Sequence, residues 1–166
     1  MRGVHRGDPL VPGLPRTIKS RSGSTPHDER LGFAVIRGTN IQVNSYVHAM
    51  HIDDGATAHP GGSNNYFVGD PSEEMVLIDT GEHQRRWTEA ILDFYHGLGR
   101  PKIGAVLITH GHGDHVGGLD RVLDAVGAPV RCHPKLVRKL RAMLRDSEAV
   151  VPLRSRERIT TGGGVT

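Results

Sequence analysis

The sequence is short of several things a protein can be built on. Cysteine occurs once, as Cys132, which excludes an intrachain disulfide and any cysteine-rich structural zinc site. A lone thiol fits a reducing compartment, and a cytoplasmic location is expected. No apolar run approaches the ~20 residues that a membrane-spanning helix needs, so no membrane partner is expected. The roughly 7–15-residue apolar core of a secretory signal is missing as well. Aromatic residues make up only 4% of the chain, and charge of one sign is scarcely in excess: 21 Lys and Arg against 18 Asp and Glu leave +3. The basic character therefore lies in local arginine clusters. No HExxH zinc motif and no short-period repeat is present.

What remains suits one domain. A chain of 166 residues, 36% hydrophobic and 23% charged, can bury a real core but not two comfortable ones. Residues 1–30 lack apolar periodicity and carry Pro9, Pro12, Pro15 and Pro26 among six basic residues, from Arg2 to Arg30. Arginines and serines resemble those of an organelle transit peptide, but Asp8, Asp28 and Glu29 interrupt them and the prolines spoil an amphipathic helix. A disordered or extended N-terminal segment is expected over 1–30, with the domain over 31–166.

From Leu31 the texture changes. Phe33–Ile36 and Ile41–Met50 alternate apolar and polar residues, the signal of half-buried strands. A loop spans Asp53–Ser63. Asn65–Val68 and Met75–Ile78 predict two more strands, joined by a hairpin-like turn at Gly69-Asp-Pro71. Trp87, Ile91, Phe94, Tyr95 and Leu98 mark one face of a helix over 82–98, a pattern of core packing. The continuous apolar run Ile103–Ile108 predicts a strand covered on both faces. Val116, Leu119, Val122, Leu123 and Val126 predict a second helix ending at Gly127. Val130–Cys132 is a short strand, with Cys132 a small buried residue. A third helix follows Pro134 through Leu136, Leu140, Met143 and Leu144, and Ala149–Leu153 is one more strand. The final Gly162–Thr166 is expected to lead into another. Strands first and strand–helix units afterwards predict an α/β fold with a mixed sheet and helices packed on it.

One stretch carries chemistry. Leu107-Ile-Thr-His110-Gly-His112-Gly-Asp114-His115-Val-Gly-Gly118 places three histidines and an aspartate in six residues. It lies at the C-terminal end of the apolar strand, where α/β proteins put their functional groups. His110 and His112, one residue apart, can turn both rings to one metal; Asp114 and His115 can reach a neighbouring position. Gly111 and Gly113 permit the backbone angles of so tight a loop. Imidazole with carboxylate suits zinc, iron or manganese better than calcium or magnesium. Two ions ~3.5–4 Å apart would polarise a carbonyl or phosphoryl oxygen, with Asp114 as ligand and as the catalytic, water-orienting base. A nucleotide-binding turn shares the glycine spacing of 111–117, but Asp114 would repel a phosphate there and the histidines would have no role.

Thr-His110-x-His112-x-Asp114-His115-x-Gly-Gly is similar to the HxHxDH signature of the metallo-β-lactamase-fold superfamily. Leu77-Ile-Asp79-Thr-Gly81 resembles its first motif, and Asn64-Asn-Tyr66-Phe-Val-Gly resembles the preceding strand in the glyoxalase II-like and β-lactamase-like-protein branch. The resemblance spans roughly residues 31–166. It implies an αβ/βα sandwich, of which this chain would form the N-terminal half to two-thirds. It also implies up to two zinc ions, with His110 and His112 binding the first, Asp114 and His115 the second, and Asp79 orienting the site from behind. The implied reaction is hydrolysis of a small-molecule thioester, ester or related bond by metal-bound hydroxide.

The family completes its centre with a histidine, a bridging aspartate and a further histidine from the second half of the domain. His133, the one later histidine, follows its strand too closely to match and is expected to be a surface residue. Little or no hydrolase activity is therefore expected of the chain alone, and a non-catalytic metal-binding remnant is the alternative. Arg131, Lys135, Arg138, Lys139, Arg141 and Arg145, with Arg154, Arg156 and Arg158, also suit a nuclease-type member contacting RNA. A solvated helix face explains them as well, since no aromatic platform accompanies them. His48, His51 and His59 are expected to be structural or exposed.

Overall fold

A computed structural model describes residues 38–53, 55 and 60–166. The N-terminal expectations, the strand at 33–36 and His59 lie outside these residues. Among the described residues, seven strands form one mixed sheet in the order in which they occur along the chain. They are β1 (Thr39–Asn44), β2 (Val47–Ile52), β3 (Ser63–Gly69), β4 (Glu74–Ile78), β5 (Lys102–Ile108), β6 (Val130–Cys132) and β7 (Val150–Pro152). Pairings from β1 to β4 are antiparallel, and those from β4 to β7 are parallel. The change follows from the connections: short turns join β1 to β2 and β3 to β4, whereas parallel neighbours need a crossover, which here is helical each time. Helix α1 (Arg85–Gly97) precedes β5, α2 (Gly113–Val116) and α3 (Leu119–Val126) precede β6, and α4 (Val137–Met143) precedes β7.

Several boundaries differ from the sequence expectations. Residues 41–50 are not one strand but most of a hairpin, because Asn44 Oδ1 accepts a bond from the Tyr46 N–H at 2.8 Å and turns the chain. The helix expected from Glu82 begins at Arg85. The helix after the histidines is broken at Gly117 and Gly118 into a single turn and a longer piece. The third helix begins as a 3₁₀ turn at Pro134–Leu136, where the His133 side chain accepts from the Lys135 N–H at 3.2 Å. His133 is exposed, as expected. At the glycine-rich end, Gly162–Gly164 makes a 3₁₀ turn in which Gly163 and Gly164 take positive φ. Gly163 lies so close to the Tyr46 ring that a Cβ would meet it at 2.4 Å.

The core occupies one face of the sheet. Met50, Ile52, Phe67, Met75, Leu77, Val106 and Ile108 meet Trp87, Ile91, Tyr95, Leu119, Val122 and Leu140 from the helices. Phe67 anchors the contact with α1, edge-on to Phe94 and stacked on Tyr95. Cys132 is fully buried there, and burial pushes its thiol pKa up, in keeping with an inert packing residue. The alternate residues form a cross-strand row on the opposite face, Ile41–Ala49–Tyr66–Ile78–Leu107–Arg131–Val151. Ile41 is 49% and Val151 40% exposed, and Tyr66, Ile78 and Leu107 are half-buried. On the face of β5 opposite the helices, Ala105 is buried and Leu107 half-buried, so the cover expected there is partial. His48 is buried on β2, and His51 pairs with Asn64 at 2.9 Å.

Candidate metal centre

Strands β4 and β5 lie side by side and parallel, so their C-terminal ends open at the same edge of the sheet. β4 ends at Ile78 and is followed by Asp79; β5 ends at Ile108 and is followed by Thr109. Asp79 has φ 62°, the left-handed region, which an aspartate tolerates better than most residues and which costs on the order of 1 kcal/mol. That turn drives its carboxylate under the histidine loop, where it is 3% exposed. It accepts three bonds there. Oδ1 takes the Thr109 N–H at 2.9 Å, and Oδ2 takes the Thr109 hydroxyl at 2.7 Å and His115 Nδ1 at 2.7 Å.

The backbone around Asp79 holds the loop from below. The Thr80 N–H donates to the His115 carbonyl at 2.8 Å, and the Thr80 hydroxyl reaches the same oxygen at 3.1 Å. Gly118 N–H donates to the Gly81 carbonyl at 3.2 Å, and His83 Nδ1 lies 2.7 Å from the Gly117 carbonyl. So close an approach explains the paired glycines. A Cβ on Gly117 would sit 2.1 Å from the His83 backbone nitrogen, and one on Gly118 2.3 Å from the Thr80 carbonyl oxygen. From the other side, the Lys139 ammonium of α4 donates to the Gly111 carbonyl, and the Ser63 hydroxyl at the start of β3 donates to Asp114 Oδ2.

The four candidate ligands fall into two adjacent pairs. His110 Nε2 lies 3.1 Å from His112 Nδ1, and His115 Nε2 lies 3.2 Å from Asp114 Oδ2. The His110 and His115 rings are 4.0 Å apart between centroids, so the two pairs share one mouth. Two donors bound to one ion at about 2.0–2.2 Å stand about 2.8–3.6 Å apart at tetrahedral to right angles, and both pairs fall in that range. The second pair makes the stronger case. His115 meets a carboxylate oxygen at each ring nitrogen, Asp79 at Nδ1 and Asp114 at Nε2, so a proton or a cation must lie between Nε2 and Asp114. The donor set therefore fits a metal. Each pair supplies only two ligands, however, and among the described residues no group of three or more His, Cys, Asp or Glu is arranged to hold an ion.

These motifs and this fold have close parallels. The family model "Metallo-beta-lactamase superfamily" matches residues 58–158. The chain belongs to the metallo-beta-lactamase superfamily. Among its relatives, "Probable metallo-hydrolase YybB" of Bacillus subtilis is 34% identical over 70 residues, which are 42% of this chain and 30% of that protein. An atrochrysone carboxyl ACP thioesterase of Aspergillus chevalieri is 44% identical over 62 residues, 37% of this chain and 20% of that one. The matched segments thus cover less than a third of either relative. Among solved structures, the metallo-beta-lactamase SMB-1 superposes with a TM-score of 0.62 at 17% identity, covering 77% of this chain and 51% of its own. A diflavin flavoprotein fragment from Nostoc sp. PCC 7120 has a TM-score of 0.61 at 13% identity, covering 78% of this chain and 54% of its own. A fold shared by a lactamase and a flavoprotein leaves the substrate open.

Sequence reasoning named His110, His112, Asp114, His115 and Asp79, and the structure brings all five together. It passed over Ser63, Thr109 and Lys139. Lys139 had been grouped with a basic segment, several members of which are tied within the chain. Arg131 pairs with Glu157, and Arg141 donates to the Val150 carbonyl at 3.2 Å. Beside Thr109 opens a cleft of about 600 Å³, lined by Ile78, Leu107, Thr109, His133, Arg154 and Ser155 among others.

Proposed function

We propose that this chain carries the metal-binding half of a metal-dependent hydrolase that cleaves a thioester, ester or related bond. The observation that supports this most is the pairing of four ligand-type atoms into two sets, each at a spacing a single ion can span. Zinc suits imidazole and carboxylate donors best, and iron or manganese would be accepted by the same set. When bound, the metal supplies Lewis-acid activation of water and of the scissile carbonyl.

The chain's own residues do the rest. Asp79 and Thr109 hold the rings from behind, as outlying partners do in metal sites generally. Asp114 faces the mouth with one oxygen held by Ser63, placed to orient a water and take up its proton. The thioesterase among the relatives favours an acyl substrate, with the cleft beside Thr109 as the space in which one could lie.

The test is a zinc titration with chelator competition on the purified chain, on His110→Ala and on Asp114→Ala, followed by turnover of a chromogenic thioester. Two protein ligands per ion fall short of the three that catalytic zinc ordinarily has. Zinc is therefore expected to bind weakly, to be lost in both variants, and to give little or no turnover by the chain alone. Absence of binding at millimolar zinc, or binding unchanged in both variants, would overturn the metal reading. Two tightly held ions with rapid turnover would overturn the view that the site is incomplete.

A further inference from the structure

Thr109 is not a candidate ligand, yet its hydroxyl lies between the buried carboxylate and one. Its Oγ1 is 2.7 Å from Asp79 Oδ2 and 3.0 Å from His110 Nδ1. A hydroxyl has one proton to give, and an ionised carboxylate can only accept. The proton therefore goes to Asp79, and the bond to His110 must be made by a proton on His110 Nδ1. That places the lone pair of His110 on Nε2, the atom that lies 3.1 Å from His112 Nδ1. His115 reaches the same state directly, since its Nδ1 donates to Asp79 Oδ2 at 2.7 Å.

We propose that Thr109 is a positioning residue, whose hydroxyl relays the Asp79 carboxylate to His110 and holds that ring as the Nδ1–H tautomer with Nε2 as donor atom. One carboxylate thereby sets the donor nitrogen of a histidine in each pair, His115 by contact and His110 through Thr109. The backbone bond from Thr109 N–H to Asp79 Oδ1 at 2.9 Å fixes the hydroxyl's starting point, so the relay has little freedom to turn away. The consequence for metal binding rests on reading His110 as a ligand. The tautomer itself does not.

Long-range ¹H–¹⁵N correlation spectra of the zinc-free protein, recorded above the imidazole titration range, read the tautomer directly. Nδ1–H is expected for His110 in the wild type and in Thr109→Ser, and a mixture of tautomers in Thr109→Val, which removes the hydroxyl but keeps the shape. Zinc affinity, measured by chelator competition, should fall about 10–100-fold in Thr109→Val and recover in Thr109→Ser. An Nε2–H tautomer in the wild type, readable even if the valine variant fails to fold, overturns the proposal. So does a valine variant with an unchanged tautomer. If the tautomers behave as expected but zinc binds to none of the proteins, the proposal stands and the metal reading alone falls.

Discussion

Asp79 shows how much one residue can hold. Its backbone takes a conformation that side chains other than those of glycine, asparagine and aspartate resist, and its carboxylate then satisfies two donors on Thr109 and one on His115. Truncation would leave these part-buried donors without their acceptor, and each such orphan costs about 1–3 kcal/mol. Asp79→Ala is expected to lower stability by about 2–4 kcal/mol in urea denaturation, with Asp79→Asn intermediate because an amide tolerates the same backbone but accepts through one atom only. A loss below about 0.5 kcal/mol for the alanine variant would show that water replaces the carboxylate freely. The aspartate was legible in the sequence through the resemblance of Leu77-Ile-Asp79-Thr-Gly81 to the family's first motif. Ser63 and Thr109 were not, because a hydroxyl looks the same in a sequence whether it faces solvent or a ligand.

Among the elements, the break between α2 and α3 is decided by contact rather than by propensity. The apolar period of Val116, Leu119, Val122, Leu123 and Val126 is that of one continuous helix. Yet Gly117 and Gly118 pass within van der Waals contact of the Thr80–His83 backbone, and the first turn is pulled aside to aim Asp114 and His115. Gly127 is a different case, closing α3 in the left-handed conformation with open space around it. Gly117→Ala is therefore expected to cost about 2–3 kcal/mol through overpacking, and Gly127→Ala about 1 kcal/mol through backbone strain alone. Thermal melts of the two variants, compared at one pH, check this, and equal losses would refute it. The hairpin at residues 45–46 was within reach of sequence reasoning, since Asn-Ser is turn chemistry. The alternation on either side of it masked the turn.

Across the whole molecule, the sheet has two unlike faces. Leu77 on β4 and Leu107 on β5 are leucines on neighbouring strands, but Leu77 is fully buried against the helices while Leu107 is half-buried on the other side. Leu77→Ala is expected to cost about 3–4 kcal/mol and Leu107→Ala about 1 kcal/mol, since the cavity penalty is felt only where neighbours close around the site. Denaturation midpoints at constant urea dependence would show the difference, and a Leu107 loss as large as that of Leu77 would mean that this face is covered in solution. The mixed order of the sheet was readable from strands that come first and strand–helix units that come after. The inequality of the faces was not, because a run such as Ile103–Ile108 is apolar at every position and carries no period from which a side could be inferred.

The sequence by itself determined the family and the class of fold and singled out the candidate ligands, because these rest on local order: the HxHxDH-like spacing for the family and the ligands, and the apolar periods for the fold. The tertiary structure decided how those residues are used. Ser63 stands 51 residues from Asp114, and Asp79 stands 30 residues from Thr109. Separations of that length carry no sequence signal, and they close only when β3, β4 and β5 pair in register and bring their ends to one edge. The contacts behind the His110 and His115 rings, on Thr109 and Asp79, form there as well.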